Sequence, residues 1–305
     1  MTFESLEVPD GWRELVARLK GDTRGVSCRR RVYLLGATDS GKSTLCRYLL
    51  QELGNGHKMG AAGGWLDCDP GQGSLGPPTT IGLAIGPAGD VEGRVRRRFV
   101  GSTTPVGHLL QTVVGAKRLI EAAEKDLPGN QGLPWLVMDS PGLVEGSTGR
   151  EFQHQSIDLL TPDWVVALGN DEVLAPVLSV FEARGIPEVV RLKVCASVVP
   201  RTARQRRTHR QRRFCEYFQT AKECELTLAG RGLHGRVPEG QEAEDVGGRV
   251  VALCDRQGEV VVLALVSSMD WARGCLRMLA PPFEPTRVVS VQFGTLRLTR
   301  TGQEL

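Results

Sequence analysis

Residues 36–44 have the types and spacing that can hold a chain of phosphates. They contain G-x-x-x-x-G-K-S between an apolar segment and a segment of helical periodicity. The glycines let the backbone turn so that its N–H groups face the phosphates. In this motif Lys42 reaches the β- and γ-phosphates, and the hydroxyl of Ser43 ligates Mg²⁺. We therefore predict a nucleoside triphosphate site made by Gly36, Ala37, Thr38, Asp39, Ser40, Gly41, Lys42, Ser43 and Thr44.

Carboxylates follow two other predicted strands. One group lies in Asp67-Cys68-Asp69-Pro70-Gly71-Gln72-Gly73, and the other is Asp139-Ser140-Pro141-Gly142. A carboxylate in the first group can accept a proton from a hydroxyl nucleophile, although a polar turn has the same composition. The second has the D-x-x-G of GTPases, but the N-K-x-D that reads guanine is missing. The predicted Mg²⁺ ligands are Ser43, Asp67, Asp69 and Asp139.

Seven arginines and no acidic residue lie between residues 201 and 213. The net charge of the chain is +3, but the rest of it contains 31 Lys and Arg against 35 Asp and Glu. This concentration indicates a local anionic partner. The lid segment (residues from about 197 to 218) is predicted to neutralise charge on a transferring phosphoryl group. A solvated helix face or a nonspecific nucleic-acid patch is the alternative.

Alternating strands and helices would position these groups. The predicted strands are Arg31–Leu35, Gly64–Asp67, Thr80–Gly86, Arg94–Gly101, Trp135–Met138, Trp164–Leu168 and Glu188–Val194. The alternation predicts an α/β fold, a doubly wound and mainly parallel sheet of the P-loop NTPase type. Ligands in such sheets bind at the carboxyl ends of the strands. We expect the phosphate motif and the carboxylates to meet there.

Three regions are predicted along the chain. Residues 1–30 would be a short lead-in, 31–222 the P-loop domain with its lid segment, and 223–305 a small β-rich C-terminal domain. The C-terminal strands are predicted at Arg249–Cys254, Glu259–Val266, Val288–Phe293 and Leu296–Thr299. We also predict a hairpin around Ala88-Gly89-Asp90 and an exposed loop over Glu239–Asp245.

Composition excludes several classes of protein. The apolar fraction of 41% is ample for a buried core, but no apolar run reaches the length of about 18 residues that spans a membrane. The first residues lack the apolar core of a secretory signal. The eight cysteines are scattered, with no C-x-x-C pair. We expect a reduced, cytoplasmic protein that does not act on membranes.

The chain resembles the polynucleotide 5′-hydroxyl kinases, the group that includes the kinase subunit of the pre-mRNA cleavage complex and the nucleolar pre-rRNA kinase. Four blocks match in order, over residues from about 31 to 220. They are residues 36–44, residues 67–73, Gly101-Ser102-Thr103-Thr104-Pro105, and the arginines that end in Glu216-Tyr217-Phe218. The aspartate within the phosphate motif and the D-x-D-x-G-Q block are more specific than G-x-x-x-x-G-K-S alone.

The resemblance implies a role for each matching residue. Asp69 would activate the 5′-hydroxyl and help to organise Mg²⁺. Residues that contact the substrate, including a clasp for its phosphate, would be Gln72, Thr103 and Thr104. The two lid arginines would be Arg201 and Arg206. Leu143 stands where the family has a clasp tryptophan.

Together these features predict a kinase that uses ATP, with GTP as the alternative, and Mg²⁺ to phosphorylate the 5′-hydroxyl ends of RNA or DNA. Its catalytic residues would be Lys42, Asp69, Arg201 and Arg206. The first alternative is a P-loop GTPase or ATPase switch, and the second is a nucleic-acid-binding protein regulated by a nucleotide. The preference for RNA or DNA and the protein partners stay open.

Overall fold

The computed structural model describes residues 8–21, 30–54, 63–86, 94–127, 133–239 and 245–305. The hairpin predicted around Ala88-Gly89-Asp90 lies outside these ranges, as does most of the loop predicted over Glu239–Asp245. In the part of the chain that is described, no helix is long and apolar enough to cross a membrane.

The first sheet has seven strands: β1 (Arg30–Gly36), β2 (Gly63–Asp67), β3 (Thr80–Gly86), β4 (Arg94–Phe99), β5 (Trp135–Asp139), β6 (Trp164–Leu168) and β7 (Glu188–Leu192). Their spatial order is β4-β3-β2-β5-β1-β6-β7. β1 is parallel to β5 and β6, β5 to β2, and β6 to β7, whereas β3 is antiparallel to β2. β5 and β6 are buried along their whole length, as expected for parallel strands covered on both faces. The predicted mainly parallel α/β sheet is confirmed.

Six α-helices accompany the strands in the described residues: α1 (Asp10–Gly21), α2 (Lys42–Gly54), α3 (Leu109–Asp126), α4 (Gly146–Leu160), α5 (Asp171–Arg184) and α6 (Ala203–Phe218). Local signals set their ends. The side chain of Asn170 caps α5 by accepting from the N–H of Glu172 (3.0 Å). Thr202 and Gln205 form a reciprocal capping box at the start of α6. The lid segment therefore becomes helical immediately after residue 202.

The second sheet has six strands: β8 (Lys222–Thr227), β9 (Gly232–Gly235), β10 (Arg249–Cys254), β11 (Val260–Asp270), β12 (Cys275–Ala280) and β13 (Ser290–Arg297). Their order is β8-β12-β11-β10-β13-β9, antiparallel except for the β13–β9 pair. Alternate residues of β10 enter different apolar clusters, Val251 one and Val250 the other. The second cluster includes Phe214 and Phe218, so α6 covers one face of this sheet.

This sheet differs from the prediction, because β8, β9 and β12 are additional strands and two predicted strands are one. The sequence predicts separate strands at Val288–Phe293 and Leu296–Thr299, but the structure has the single strand β13. Gly294 lies between the two predicted strands. In the structure a Cβ at Gly294 would lie 2.7 Å from the carbonyl oxygen of Gly101. The glycine is therefore required by a close approach of two backbones and not by a turn.

The chain folds into two compact units that do not follow sequence order. The first unit comprises residues 1–69, 82–95 and 116–201, and the second comprises 70–81, 96–115 and 202–305. The first carries 19 Lys and Arg against 23 Asp and Glu, whereas the second carries 19 against 12. The excess of positive charge therefore belongs to the second unit. The domain boundaries at residues 31 and 222 stay a prediction.

Candidate active site

The loop between β1 and α2 places the predicted phosphate-binding residues at the carboxyl end of the parallel sheet. The N–H of Leu45 bonds to the carbonyl of Gly41 (2.9 Å), so α2 starts within the motif. Gly41 has a φ of 93° and Asp39 one of 59°, in the left-handed region that glycine and aspartate tolerate. A Cβ on Gly36 would lie 2.5 Å from the carbonyl oxygen of Leu168. The backbone thus has the curl that a phosphate-binding loop needs.

Lys42 is buried at the base of this loop. Its Nζ donates to the carbonyl oxygens of Gly36 (2.8 Å) and Ala37 (2.7 Å). Burial lowers the pKa of Lys42, and the charges of Asp139, Asp69 and Asp39 oppose that shift. Three carboxylates from separate segments therefore act on one ammonium group.

Asp139 ends β5 and faces the first turn of α2. The hydroxyl of Ser43 donates to its Oδ2 at 2.5 Å. Burial raises the pKa of Asp139 to about 6, although Lys42 and the hydrogen bond from Ser43 both act to lower it. The parallel register places Asp139 opposite Leu34 of β1. A hydroxyl and a carboxylate, two of the predicted metal ligands, are thus in direct contact.

Asp67 and Asp69 lie at the next strand end. Asp67 is opposite Asp139 in the register of β2 and β5, and its Oδ1 accepts from the N–H of Asp69 (3.2 Å). Asp67 is buried and Asp69 is partly exposed. The charge of Asp69 acts on both Lys42 and Asp139. Asp69 is therefore the carboxylate of this pair that combines access with proximity to the phosphate loop.

These residues fit a nucleoside triphosphate with Mg²⁺. The Oγ of Ser40 is buried and has no hydrogen-bond partner among the described residues, and Lys42 bonds only the carbonyls of its own loop. Hydroxyl and carboxylate oxygens are the donors that Mg²⁺ prefers, usually one or two carboxylates completed by substrate phosphates. In the described ranges no group of three or more His, Cys, Asp and Glu could hold a metal ion by itself.

Gly142 brings the loop after β5 against the phosphate motif. A Cβ on Gly142 would lie 2.2 Å from Oγ1 of Thr38, 2.5 Å from its N and 2.6 Å from its Cα. Only glycine allows this approach. The D-x-x-G pattern gives the position of the glycine, but it does not show the contact that requires it.

Gln153 of α4 is a site residue that sequence reasoning missed. Its side chain is fully buried, and its Nε2 donates to the carbonyl oxygens of Pro141 (3.0 Å) and Leu143 (2.9 Å). Its Oε1 accepts from the hydroxyl of Tyr33 in β1 (2.7 Å). Gln153 therefore fixes the loop that carries Gly142. A single sequence contains no signal that distinguishes a buried glutamine with this role from an exposed glutamine on a helix.

Arg201 is held by the phosphate motif itself. Its backbone N–H and its Nε donate to the two carboxylate oxygens of Asp39, at 2.9 and 3.2 Å. Its side chain keeps about half of its surface exposed. The first unit thus brings together Lys42, Ser43, Asp69 and Arg201 of the predicted site.

Four predicted site residues, Gln72, Thr103, Thr104 and Arg206, lie in the second unit. Gln72 belongs to a loop whose carbonyls at Gly73 and Gly76 accept from the guanidinium of Arg213, at 3.5 and 2.5 Å. Arg97 adds a bond from its Nε to the carbonyl of Leu75 (2.8 Å). Two arginines therefore hold the Gln72 loop in shape.

The clasp segment (residues 101–105) is also fixed within the second unit. Gly101 has a φ of 87°, and its carbonyl accepts from the N–H of Thr295 in β13 (2.9 Å). The hydroxyl of Thr104 accepts from the N–H of Val106 (3.3 Å). Thr103 is partly exposed and Thr104 is exposed, so both can meet a ligand.

The arginines of α6 differ in their surroundings. Arg210 pairs with Glu304 through two bonds (2.5 and 3.0 Å), and Arg213 holds the Gln72 loop, so these two stabilise the second unit. The exposed arginines of the helix are Arg204, Arg207 and Arg212. Arg206 is partly exposed and lies on the same helix face as Arg210 and Arg213.

Residues 36–220 match the family model of the mRNA cleavage and polyadenylation factor CLP1 P-loop. A polyribonucleotide 5′-hydroxyl-kinase of Pyrococcus furiosus is 26% identical over 90% of this chain and 89% of its own length. A protein of the same name from Methanocaldococcus jannaschii is 24% identical over 99% of this chain and 95% of its own. The polyribonucleotide 5′-hydroxyl-kinase Clp1 of Bos taurus is 30% identical, over 64% of this chain and 46% of its own.

The fold has a solved counterpart. A chain in the structure of a wild-type Clp1p–Pcf11p complex superposes with a TM-score of 0.71, over 94% of this chain and 79% of that chain. The two are 13% identical, so this likeness shows the fold.

Proposed function

This chain belongs to the CLP1 P-loop family, and we propose that it transfers the γ-phosphate of ATP to the 5′-hydroxyl of RNA or DNA. The observation that carries the proposal is the position of Asp69. Its carboxylate lies where its charge acts on both Lys42 and Asp139, and it is accessible. A hydrolytic switch needs no base for a hydroxyl nucleophile, whereas a 5′-hydroxyl kinase does. Relatives named as polyribonucleotide 5′-hydroxyl-kinases along nearly the whole chain support the same reaction.

Each proposed step belongs to a residue of this chain. The N–H groups of residues 36–44 and Lys42 bind the β- and γ-phosphates of ATP. Ser43 and Asp139, with Asp67 and Asp69 nearby, would hold Mg²⁺, which when bound would neutralise charge on those phosphates. Asp69 takes the proton of the 5′-hydroxyl as its oxygen bonds to the γ-phosphorus and the bond to the β-phosphate oxygen breaks.

The remaining proposed groups bind the substrate and the charge of the transition state. Gln72 and the clasp threonines, Thr103 and Thr104, contact the polynucleotide. Arg201 and Arg206 neutralise negative charge that develops during transfer. Arg201 is already held against Asp39, so it needs little ordering to act there.

One labelling experiment tests the function. The protein is incubated with Mg²⁺, ATP labelled at the γ-phosphate and an oligonucleotide with a 5′-hydroxyl, as RNA and as DNA. We expect label on the oligonucleotide and none when the same oligonucleotide already carries a 5′-phosphate. Label released only as inorganic phosphate would favour the switch, and retention in ATP would favour the regulated nucleic-acid-binding protein. A parallel reaction with labelled GTP tests the choice of nucleotide.

A pair of isosteric variants tests the base. Asp69→Asn should retain nucleotide binding and lose transfer by orders of magnitude, because an amide cannot accept the proton. Asp67→Asn is the matched control, since Asp67 is buried and bonds the backbone of Asp69. A mild effect of Asp69→Asn together with a severe effect of Asp67→Asn would show that Asp69 is not the base.

A further inference from the structure

The second sheet carries a cleft beside the clasp segment. The cleft has a volume of about 530 Å³ and is lined by Arg236, Val237, Glu239, Arg249 and Thr295. The cleft lies near one end of the β10–β13 pair, where Arg249 is opposite Arg297. A volume of this size is within the range of ligand pockets, roughly 300 to 1,000 Å³. The cleft can therefore accept more than a single phosphate group.

Short contacts join this cleft to the clasp segment within the same unit. Thr295 donates its backbone N–H to Gly101 (2.9 Å), and its Oγ1 lies 3.0 Å from Nε2 of His108. His108 in turn donates its backbone N–H to Pro105 (2.8 Å). A Cβ on Gly101 would lie 2.8 Å from Cα of Gly294. A strand bound by Thr103 and Thr104 would therefore leave the clasp beside this cleft.

The charge of the cleft is positive, and one cation in it is available. Arg236 is exposed, and its guanidinium makes no hydrogen bond or ion pair within the described ranges. Arg249 is fixed, because its guanidinium donates to the carbonyl oxygen of Arg236 (3.2 Å). Glu239 is the acidic residue of the lining, and nearby Asp245 is paired with Arg297 (2.7 Å). Burial, with the charge of Arg236 second, lowers the pKa of His108, so this imidazole is neutral beside the cleft.

We propose that this cleft binds the sugar–phosphate backbone of the polynucleotide substrate beyond its 5′-terminal nucleotide, with Arg236 as the phosphate contact. The proposal rests on the proposed function, because it takes the polynucleotide as the ligand. Arginine donates to phosphate oxygens in pairs and is the usual residue for such contacts. A contact of this kind fixes the strand without reading its bases, and suits an enzyme that acts on a 5′ end of any sequence.

The test compares acceptors of different length. We would measure kcat/KM for transfer to 5′-hydroxyl oligonucleotides of about two and about ten nucleotides, for the wild type, Arg236→Ala and Arg256→Ala. Arg256 is the matched control because it is also exposed, and it lies in the turn between β10 and β11. Arg256 is seven positions after Arg249, beyond the end of β10, which places it roughly 20 Å away along the strand direction.

We expect the advantage of the longer acceptor to fall about tenfold in Arg236→Ala and to be retained in Arg256→Ala. The slope of log affinity against log salt for the longer oligonucleotide should fall by about one in Arg236→Ala. Equal changes of kcat/KM in Arg236→Ala and Arg256→Ala would overturn the proposal. A loss of kcat/KM in Arg236→Ala that is the same for the short and the long acceptor would also overturn it.

A binding measurement separates this proposal from the proposed function. Fluorescence anisotropy of a labelled ten-nucleotide strand, without ATP, reports on the cleft whether or not label is transferred. Tenfold weaker binding by Arg236→Ala in a protein that transfers no phosphate would uphold the cleft and reject the kinase. Unchanged binding by Arg236→Ala in a protein that does transfer phosphate would reject the cleft and uphold the kinase. Matching thermal midpoints of the two variants check that both are folded.

Discussion

Replacing Gly142 by alanine should disable the phosphate loop while leaving the fold in place. The added Cβ would lie 2.2 Å from Oγ1, 2.5 Å from N and 2.6 Å from Cα of Thr38. Carbon atoms in ordinary contact are about 3.5 Å apart, so the two backbones must separate by roughly 1 Å. Gly142 is outside the left-handed region, so backbone strain adds nothing to this steric effect.

The size of the effect follows from that displacement. A misplacement of about 1 Å at a catalytic group costs on the order of a hundredfold in rate, which we expect in kcat/KM for phosphoryl transfer. Overpacking of a buried contact costs about 1 to 3 kcal/mol, so the free energy of unfolding should fall by that amount. The assays are calorimetric titration with ATP, transfer to a 5′-hydroxyl oligonucleotide and urea unfolding.

Two further variants make the reasoning refutable. Gly21→Ala is the control, because a Cβ there would meet no atom within 4 Å, and it should be active. Gly142→Ala combined with Thr38→Ala should not recover, since the backbone N and Cα of residue 38 remain in the way. Wild-type ATP affinity in Gly142→Ala, or recovery in the double variant, would show that the loop is not held by a contact between backbones.

The other predictions concern Asp139, Gln153 and Lys42, with control variants for the first two. Asp139 is buried with a pKa of about 6 against an ordinary 3.8, so its protonation stabilises the fold below pH 3.8 and that stability is lost as the pH rises through 6. In urea unfolding without nucleotide, Asp139→Asn should therefore be more stable than wild type at pH 8, by up to about 3 kcal/mol, and equal to it below pH 4. The variant Ser43→Ala should be less stable than wild type at pH 8. Gln153→Leu removes three hydrogen bonds made by a fully buried amide and should lose about 2 to 4 kcal/mol of unfolding free energy, whereas the exposed Gln155→Leu should change it by less than about 0.5 kcal/mol. Lys42→Ala should abolish transfer and retain the circular dichroism spectrum of the wild type, because its Nζ donates to carbonyls of the phosphate loop itself.

The first sheet could be predicted because each of its central strands has a strong local signal. Trp135–Asp139 and Trp164–Leu168 are short apolar runs, and the helix that follows the second of them begins with a side-chain cap, Asn170. Where a signal is weak, the boundary moves. Helix α4 begins at Gly146, and the two glycines in its first turn give that turn a low helix propensity, so the sequence does not mark where the helix starts.

The second sheet was less predictable because its edges carry little apolar pattern. β8 exposes most of its side chains, and β9 is four residues long and contains two glycines. Both strands are held by pairing to a neighbour, β8 to β12 and β9 to β13, and a single sequence does not contain that pairing. The positioning role of Gln153 is hidden for the same reason, since its partners lie 10 to 120 residues away.

The arginine segment shows why a count of charges cannot assign a function. Seven arginines in thirteen residues predict a diffuse phosphate-binding field as well as they predict a lid. In the structure Arg201 is held by Asp39, Arg210 by Glu304 and Arg213 by backbone carbonyls, and the two compact units divide between residues 201 and 202. A field of equivalent cations would leave these groups exposed and interchangeable, whereas here their surroundings differ from one residue to the next. The segment therefore cannot act as one uniform patch, which weakens the nonspecific nucleic-acid interpretation and favours distinct roles for Arg201 and for the arginines of α6.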